Sequence, residues 1–377
     1  MLTDRAVVSA GGKFSLGPDV VPAAANTTAQ DITSKDSSEH SMNVVELSGQ
    51  FGIENLYVVT RPRPTPGPGE VAIGVRAVSL NYRDLLMVRG QYNPRQPLPL
   101  IPASDGVGVV VAVGEGVTRV AVGARVCPLF AEGWLSGPPL PGVTRQTRGG
   151  PLDGMLAEVV VVPAHSVVVP PAHLTDAEAA CLPCAMLTAW STLVTLGGIK
   201  AGDVVLIQGT GGVALSALAL AKLHGAQVIM TSSSDEKLER VAAMGADHGI
   251  NYRTEPRWGD VARGLTGKRG VDLVVEVGGA ETLAQSLRAV RPGGTIGLIG
   301  VLSGGLSQVR LESILMRQVR VQGVFVGNRD GFEAMNRAIS AGGLRPVVDT
   351  TFELGATRAA LEHMAAGQHF GKVVVRL

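Results

Sequence analysis

The chain has 377 residues, 45% of them hydrophobic and 17% charged, with a formal net charge of +1. That length allows two domains with sizeable cores, and a near-neutral chain without a basic run argues against nucleic acid as a partner. Three cysteines, Cys127, Cys181 and Cys184, are too few for a disulfide framework and no apolar run is long enough to span a bilayer, so a soluble cytoplasmic protein with no membrane partner is expected.

Residues 1–41 are rich in Ser, Thr, Ala and acids and lack apolar periodicity, which predicts a disordered extension with Met42 as the functional start. Residues 42–170 alternate short β-prone runs with Gly/Pro turns. Runs at 71–78, 106–113 and 159–162 predict an antiparallel, barrel-like module. From about Asp176 helix and strand patterns alternate, with strand runs at 204–207, 228–230, 271–276, 295–299 and 319–324. That order predicts a parallel doubly wound sheet over residues 171–327. Residues 328–377 hold a helical stretch at 331–340 and a last strand at 372–376, expected to return to the first module.

The most informative stretch is Val204-Val-Leu-Ile-Gln-Gly-Thr-Gly-Gly-Val-Ala214. A β-prone run enters a glycine turn, and a small-residue helix follows. Gly209, Gly211 and Ala214 have the spacing of a dinucleotide fingerprint. Gly209 permits the tight turn, Gly211 lets the backbone approach a pyrophosphate, and Ala214 leaves room for helix–sheet packing. The helix start at Gly212 and Val213 presents free N–H groups and a positive dipole end to phosphate.

An NAD-selective site places an acid at the end of the second strand, about 20 residues on, to hold the ribose 2′-hydroxyl. Thr231-Ser-Ser-Ser234 stands there instead. Ser232, Ser233 and Lys237 would supply donors and positive charge to a 2′-phosphate, so NADPH is expected ahead of NADH. Two features pull the other way. Ser233 with Glu236 fits a helix capping box, and Asp235 and Glu236 bring negative charge close.

Ser79-Leu-Asn-Tyr-Arg-Asp84, Ile101-Pro-Ala-Ser-Asp-Gly106, Leu182-Pro-Cys-Ala185 and Phe370-Gly-Lys372, with the glycine turn, resemble the medium-chain dehydrogenase/reductase superfamily, in its zinc-free quinone oxidoreductase and enone reductase branch. The resemblance covers residues 42–377. It implies an α/β protein: a GroES-like β-barrel catalytic domain plus a Rossmann domain with a doubly wound parallel sheet. It implies hydride transfer with NAD(P)H to a small-molecule substrate, and a homodimer through edge strands, for which residues 319–325 are apolar and β-prone enough. Thr188, Tyr252, Gly278, Gly300, Phe325, Asn328 and Lys372 match cofactor-lining positions, although Gly278 and Gly300 would equally end strands.

Zinc members of the superfamily hold their catalytic metal with Cys, His and Cys, and a Glu follows the His. The matching positions here are Asn81, Ser104 with Asp105, and Cys184, so one ligand remains. Asn and Ser oxygens are poor zinc ligands, and the lobe at 127–153 offers only Cys127 where four cysteines are needed. No zinc is expected, and Cys184 reads as a small buried residue. Charge on a substrate oxygen must then be met by hydrogen-bond donors. Tyr82, Asn81 and Asp105 are the candidate catalytic group: Tyr82 as donor, Asn81 orienting a carbonyl, Asp105 as a buried acceptor. Arg83 fits a structural partner of Asp84 or Asp105. His165, His173, His224 and His248 are expected to be exposed, and His369 lies beside the Gly371-Lys372 match.

The function expected is a zinc-independent NADPH oxidoreductase acting on a quinone or an α,β-unsaturated carbonyl. The alternatives are alcohol/aldehyde interconversion and, in another class, a nucleotide-binding protein without turnover.

Overall fold

The computed structural model describes residues 40–139 and 141–377, so the expectation for residues 1–39 lies outside the described residues. A hairpin of β1 (Ser41–Leu47) and β2 (Leu56–Pro62) opens the described chain. β3 (Glu70–Ser79), β4 (Asp105–Val113), β5 (Arg125–Pro128), β6 (Val159–Pro163) and β7 (Val167–Val168) follow as antiparallel strands. Their Val- and Ile-rich inner faces close over Val71, Ile73, Val110, Val126 and Val162. β-Branched side chains pack well on such a pleated surface.

The second sheet contains β8 (Val204–Gln208), β9 (Gln227–Ser232), β10 (His248–Asn251), β11 (Val271–Glu276), β12 (Val290–Leu298) and β13 (Arg320–Gly323), all parallel, in the order β10-β9-β8-β11-β12-β13. β8 and β11 are buried along their whole length. Helices covering both faces of a parallel sheet select such continuous apolar runs. The strand order reverses between β8 and β11, and a doubly wound sheet opens its ligand crevice at that point.

β14 (Val348–Glu353) and β15 (Lys372–Arg376) return to the first sheet, whose order is β14-β15-β3-β4-β5-β7 with β6 also on β3. β15 runs antiparallel to β3, Val374 opposite Ser79, and Leu80 N donates to Val373 O at 2.9 Å. One buried cluster extends from Val107 and Cys127 through Leu182 and Leu187 to Val205, Ile207 and Leu218, so both sheets share a core.

Several bounds differ from the sequence expectation, each for a local reason. β1 starts at Ser41, inside the stretch read as an extension, because its residues pair with β2 from that position. β12 starts at Val290, where it meets Val271 of β11. The helix expected over 331–340 runs Arg329–Gly342: Asn328 caps its start and Gly343, in the left-handed region at φ 61°, ends it. Among the described residues no helix is long and apolar enough to cross a membrane.

Residues 176–195 make a composite helix. Helical turns at Asp176–Ala179 and Leu187–Trp190 alternate with π turns at Leu182–Met186 and Ser191–Thr195. π turns concentrate at functional sites, and this segment carries Cys184 and Thr188.

Candidate active site

The glycine turn leaves β8 at the crevice. Gly209 takes φ 75°, and its N–H donates to Thr231 O at 2.8 Å. The helix Gly212–Leu223 follows, with Ala214 buried against the sheet. A Cβ added to Gly211 would meet nothing within 4 Å, so backbone is open to a ligand there. The other side of the turn is closed by the end of the chain: Gly371 N donates to Thr210 O at 3.0 Å. A Cβ on Gly212 would lie 2.3 Å from Cδ of Lys372, whose stem crosses the helix start, with Val213 next in line.

At the end of β9, Thr231 and Ser232 are buried, and Ser232 Oγ accepts from Ser234 N at 3.2 Å. The helix Asp235–Ala243 is capped by Ser234, whose side chain accepts from Lys237 N. That corrects the capping box expected from Ser233 and Glu236 and leaves Ser233 outside the cap. The Lys237 ammonium donates to Gly367 O at 3.2 Å and His369 O at 3.0 Å, so its charge already ties the Gly367–Gly371 strap. Partial burial lowers its pKa. Tyr252 is exposed, and its N–H donates to Ser232 O at 3.0 Å. Asp235, one of the nearby acids, is bonded to Asn251 Nδ2 at 2.8 Å.

Across the crevice the fully buried Glu276 organises the loop after β11. Its carboxylate accepts from Gly278 N (2.9 Å), Gly279 N (3.0 Å), Thr282 Oγ1 (2.5 Å), Gln208 Nε2 (2.7 Å) and Ser286 Oγ (2.5 Å). Neither Glu276 nor Gln208 was singled out by sequence reasoning. The available signal was an amide and an acid each closing an apolar run, at 204–207 and 273–275. Gly300 packs under this loop, where a Cβ would be 2.3 Å from Val277 O. Thr188 is buried in the composite helix, and Phe325 meets Phe130 edge-on at 5.5 Å and stacks near Trp134 at 6.4 Å. The amide of Asn328 is committed to its cap: Oδ1 accepts from Gly331 N at 2.8 Å, and Nδ2 donates to Gly137 O at 3.0 Å.

Opposite the glycine turn, two residues past the end of β3, Asn81 caps the helix Tyr82–Val88, and its N–H donates to Asp84 Oδ2 at 2.8 Å. The Lys372 ammonium donates to Asn81 Oδ1 at 2.5 Å and to Leu80 O. Asn81 Nδ2 donates to Ser104 Oγ at 3.2 Å, Ser104 Oγ donates to Asp105 Oδ1 at 2.9 Å, and Cys184 N donates to Asp105 Oδ2 at 3.0 Å. Both ends of the Asn81 amide are engaged, its oxygen by Lys372 and its Nδ2 by Ser104. Asp105 is the buried acceptor expected. Burial raises its pKa, and Lys372 opposes the rise. Tyr82 is 43% exposed, on the solvent side of this chain of bonds.

Arg83 is a structural residue. It donates to Arg148 O and Thr147 Oγ1, both at 3.0 Å, and lies over the rings of Tyr92 and Phe130, while Asp84 is 3.8 Å away. Burial pushes the Asp84 carboxyl up to about 6, against the pull of Arg83 and with a push from Asp105. Cys184 is half-buried rather than buried as expected, the other four residues of its π turn being buried, and desolvation, with Asp105 nearby, pushes its thiol up. His165 and His248 are exposed as expected. His173 and His224 are half-buried, each with a ring nitrogen on a backbone carbonyl.

The donor set does not fit a tetrahedral zinc. The oxygen at the first ligand position faces an ammonium, Ser104 and Asp105 are bonded to each other, and no group of three or more His, Cys, Asp or Glu among the described residues could hold a metal ion.

Residues 67–172 match the alcohol dehydrogenase GroES-like domain, and residues 212–341 match the zinc-binding dehydrogenase domain. The chain is 40% identical over 316 residues to the zinc-type alcohol dehydrogenase-like protein C1773.06c of Schizosaccharomyces pombe, spanning 82% of this chain and 91% of that protein. The crystal structure of an NAD-dependent alcohol dehydrogenase matches with a TM-score of 0.82 at 34% identity, over 89% of this chain and 100% of that one. A crotonyl-CoA carboxylase/reductase, AntE, in complex with NADP, matches with a TM-score of 0.81 at 26% identity, over 89% and 95%. The chain belongs to the zinc-type alcohol dehydrogenase-like family of the medium-chain dehydrogenase/reductase superfamily. It is an NAD(P)-dependent oxidoreductase.

Proposed function

We propose that this oxidoreductase works without zinc and uses NADPH to deliver hydride to the β-carbon of an α,β-unsaturated carbonyl or to a quinone. The observation that carries the reading is the bonded chain Lys372–Asn81–Ser104–Asp105–Cys184, which occupies the ligand positions of the zinc relatives with hydrogen bonds. NADPH is supported by the absence of a carboxylate on residues 231–234 and by the likeness to a reductase that binds NADP. In this reading Gly209, Gly211, Gly212 and Val213 receive the pyrophosphate, and Ser232, Ser233, Lys237 and Tyr252 surround the 2′-phosphate. Thr188, Gly278, Gly300 and Phe325 line the nicotinamide side. Asn328 acts through its helix cap. A homodimer across the open edge of β13 is part of the proposal, supported by the exposed Leu306, Leu311, Leu315 and Met316 in the segment leading into it.

The test is consumption of NADPH against NADH with quinones, enones and aldehydes, and metal analysis of the same sample. NADPH-dependent reduction of enones or quinones by metal-free protein is expected. Stoichiometric zinc with chelator-sensitive alcohol oxidation would overturn the reading and establish the second one, NAD-dependent alcohol/aldehyde interconversion, which the names of two of these relatives favour.

A further inference from the structure

Lys372 is 5% exposed, and a buried ammonium is expensive unless it is paired and hydrogen-bonded. Two of its three N–H bonds are taken, by Leu80 O and Asn81 Oδ1, and among the described residues no acceptor lies within hydrogen-bond distance of the third. Asp105 supplies the counter-charge: it is fully buried, and Lys372 works against the effect of burial on its carboxyl. The stem of Lys372 lies across Gly212 at the start of the dinucleotide-binding helix. Its head therefore stands between the cofactor turn and the Asn81–Tyr82 segment. A positive charge with a spare donor occupies the place where zinc relatives polarise a carbonyl.

We propose that Lys372 is a catalytic residue that meets the substrate oxygen, stabilises the negative charge developing on it and protonates it. As hydride forms the new C–H bond at the β-carbon, the C=C electron pair moves into the Cα–C bond and the carbonyl pair moves onto oxygen. That oxygen takes a proton from the ammonium: an O–H bond forms, an N–H bond breaks, and enol and neutral amine result. The enol tautomerises to the saturated carbonyl, and the amine regains a proton from water beside the exposed Tyr82. With a quinone, the same one hydride to a ring carbon and one proton to oxygen, followed by tautomerisation, give the hydroquinone. The substrate class rests on the proposed function. The oxyanion site stands independently of it.

The experiment compares wild type with Lys372→Met and Lys372→Arg, with cofactor binding measured apart from turnover through quenching of the three tryptophans by NADPH. At saturating NADPH, Lys372→Met is expected to lose about 100-fold or more in kcat, the scale of general-acid catalysis, and Lys372→Arg to keep a larger share. The loss should exceed any change in NADPH affinity. A Lys372→Met protein whose whole defect disappears at saturating NADPH would make Lys372 a cofactor ligand only and overturn the proposal. A second readout needs no turnover. 4-Nitrophenol bound to the NADP-loaded wild type should absorb as the phenolate, and Lys372→Met should bind it as the neutral phenol or not at all. Phenolate binding by a wild type inert towards enones and quinones would sustain the oxyanion site and remove the proposed substrate class. An active wild type that binds only neutral phenol would overturn Lys372.

Discussion

The amide of Gly371 donates to the carbonyl of Thr210 at 3.0 Å, which ties the entry to the last strand onto the turn that would carry the cofactor phosphates. Gly371 sits at φ 99°, and a Cβ there would lie 2.5 Å from Val347 O. Gly371→Ala is expected to destabilise the protein by about 1–3 kcal/mol and to weaken NADPH binding together with it. Thermal unfolding with and without NADPH reads both effects. An unchanged melting temperature would mean that this connection is not under strain.

Cofactor choice should respond to one added charge. Ser233→Asp places a carboxylate after β9, outside the helix cap held by Ser234. KM for NADPH is expected to rise by roughly tenfold or more while NADH use holds or improves, because the acid repels a 2′-phosphate and accepts from a 2′-hydroxyl. Equal changes with both cofactors would place Ser233 away from the adenosine ribose.

The buried Asp84 gives a pH signature. Its carboxyl is raised from 3.8 to about 6 mainly by burial, so the folded state holds this proton more tightly than the unfolded chain. Stability therefore falls as pH climbs through that interval and stays lower above it, by about 3 kcal/mol at most. Asp84→Asn keeps an acceptor for Asn81 N and removes the charge. Calorimetry across the range should show the variant more stable than wild type above about pH 6, with the gap closing on acidification. A gap that widens towards low pH would reverse the sign.

Tyr82→Phe tests the solvent-facing donor. With its hydroxyl removed, kcat is expected to fall while stability holds, since the side chain is 43% exposed. Turnover equal to wild type would leave proton return to water alone.

Association should depend on the exposed leucines of the segment that leads into β13. Leu311 and Leu315 are 71% and 72% exposed. Leu311→Lys with Leu315→Lys is expected to convert a dimer to a monomer in light scattering, because desolvating two charges at an interface opposes association. A wild type already monomeric at high concentration would remove the dimer.

The glycine turn and the parallel sheet were legible because their signals are local: strand, turn and helix signals fall within 11 residues at 204–214. What stayed hidden depends on distance or on register. Lys372 reaches Asn81 across 291 positions, and nothing in Phe370-Gly-Lys372 says where the ammonium ends. Glu276 was unremarkable until its five donors were brought from β8, its own loop and the following helix. The cap at Ser234 rather than Ser233 is a one-residue question, decided by where β9 stops. Asn328, read as a cofactor neighbour, also carried the signal of a helix cap, a side-chain acceptor just ahead of an amphipathic stretch.

Cys184 and Thr188 are separated by the end of a π turn, Leu182–Met186, which holds more residues than an α turn would. Where Thr188 points relative to Cys184 is therefore encoded in chain length as well as in residue type. Were that turn to close as ordinary helix at unchanged length, everything after it would swing by about 100°. The threonine and Trp190 would leave their buried stations although every side chain was still present. At this place in the chain, one residue more or fewer per turn acts as a rotation.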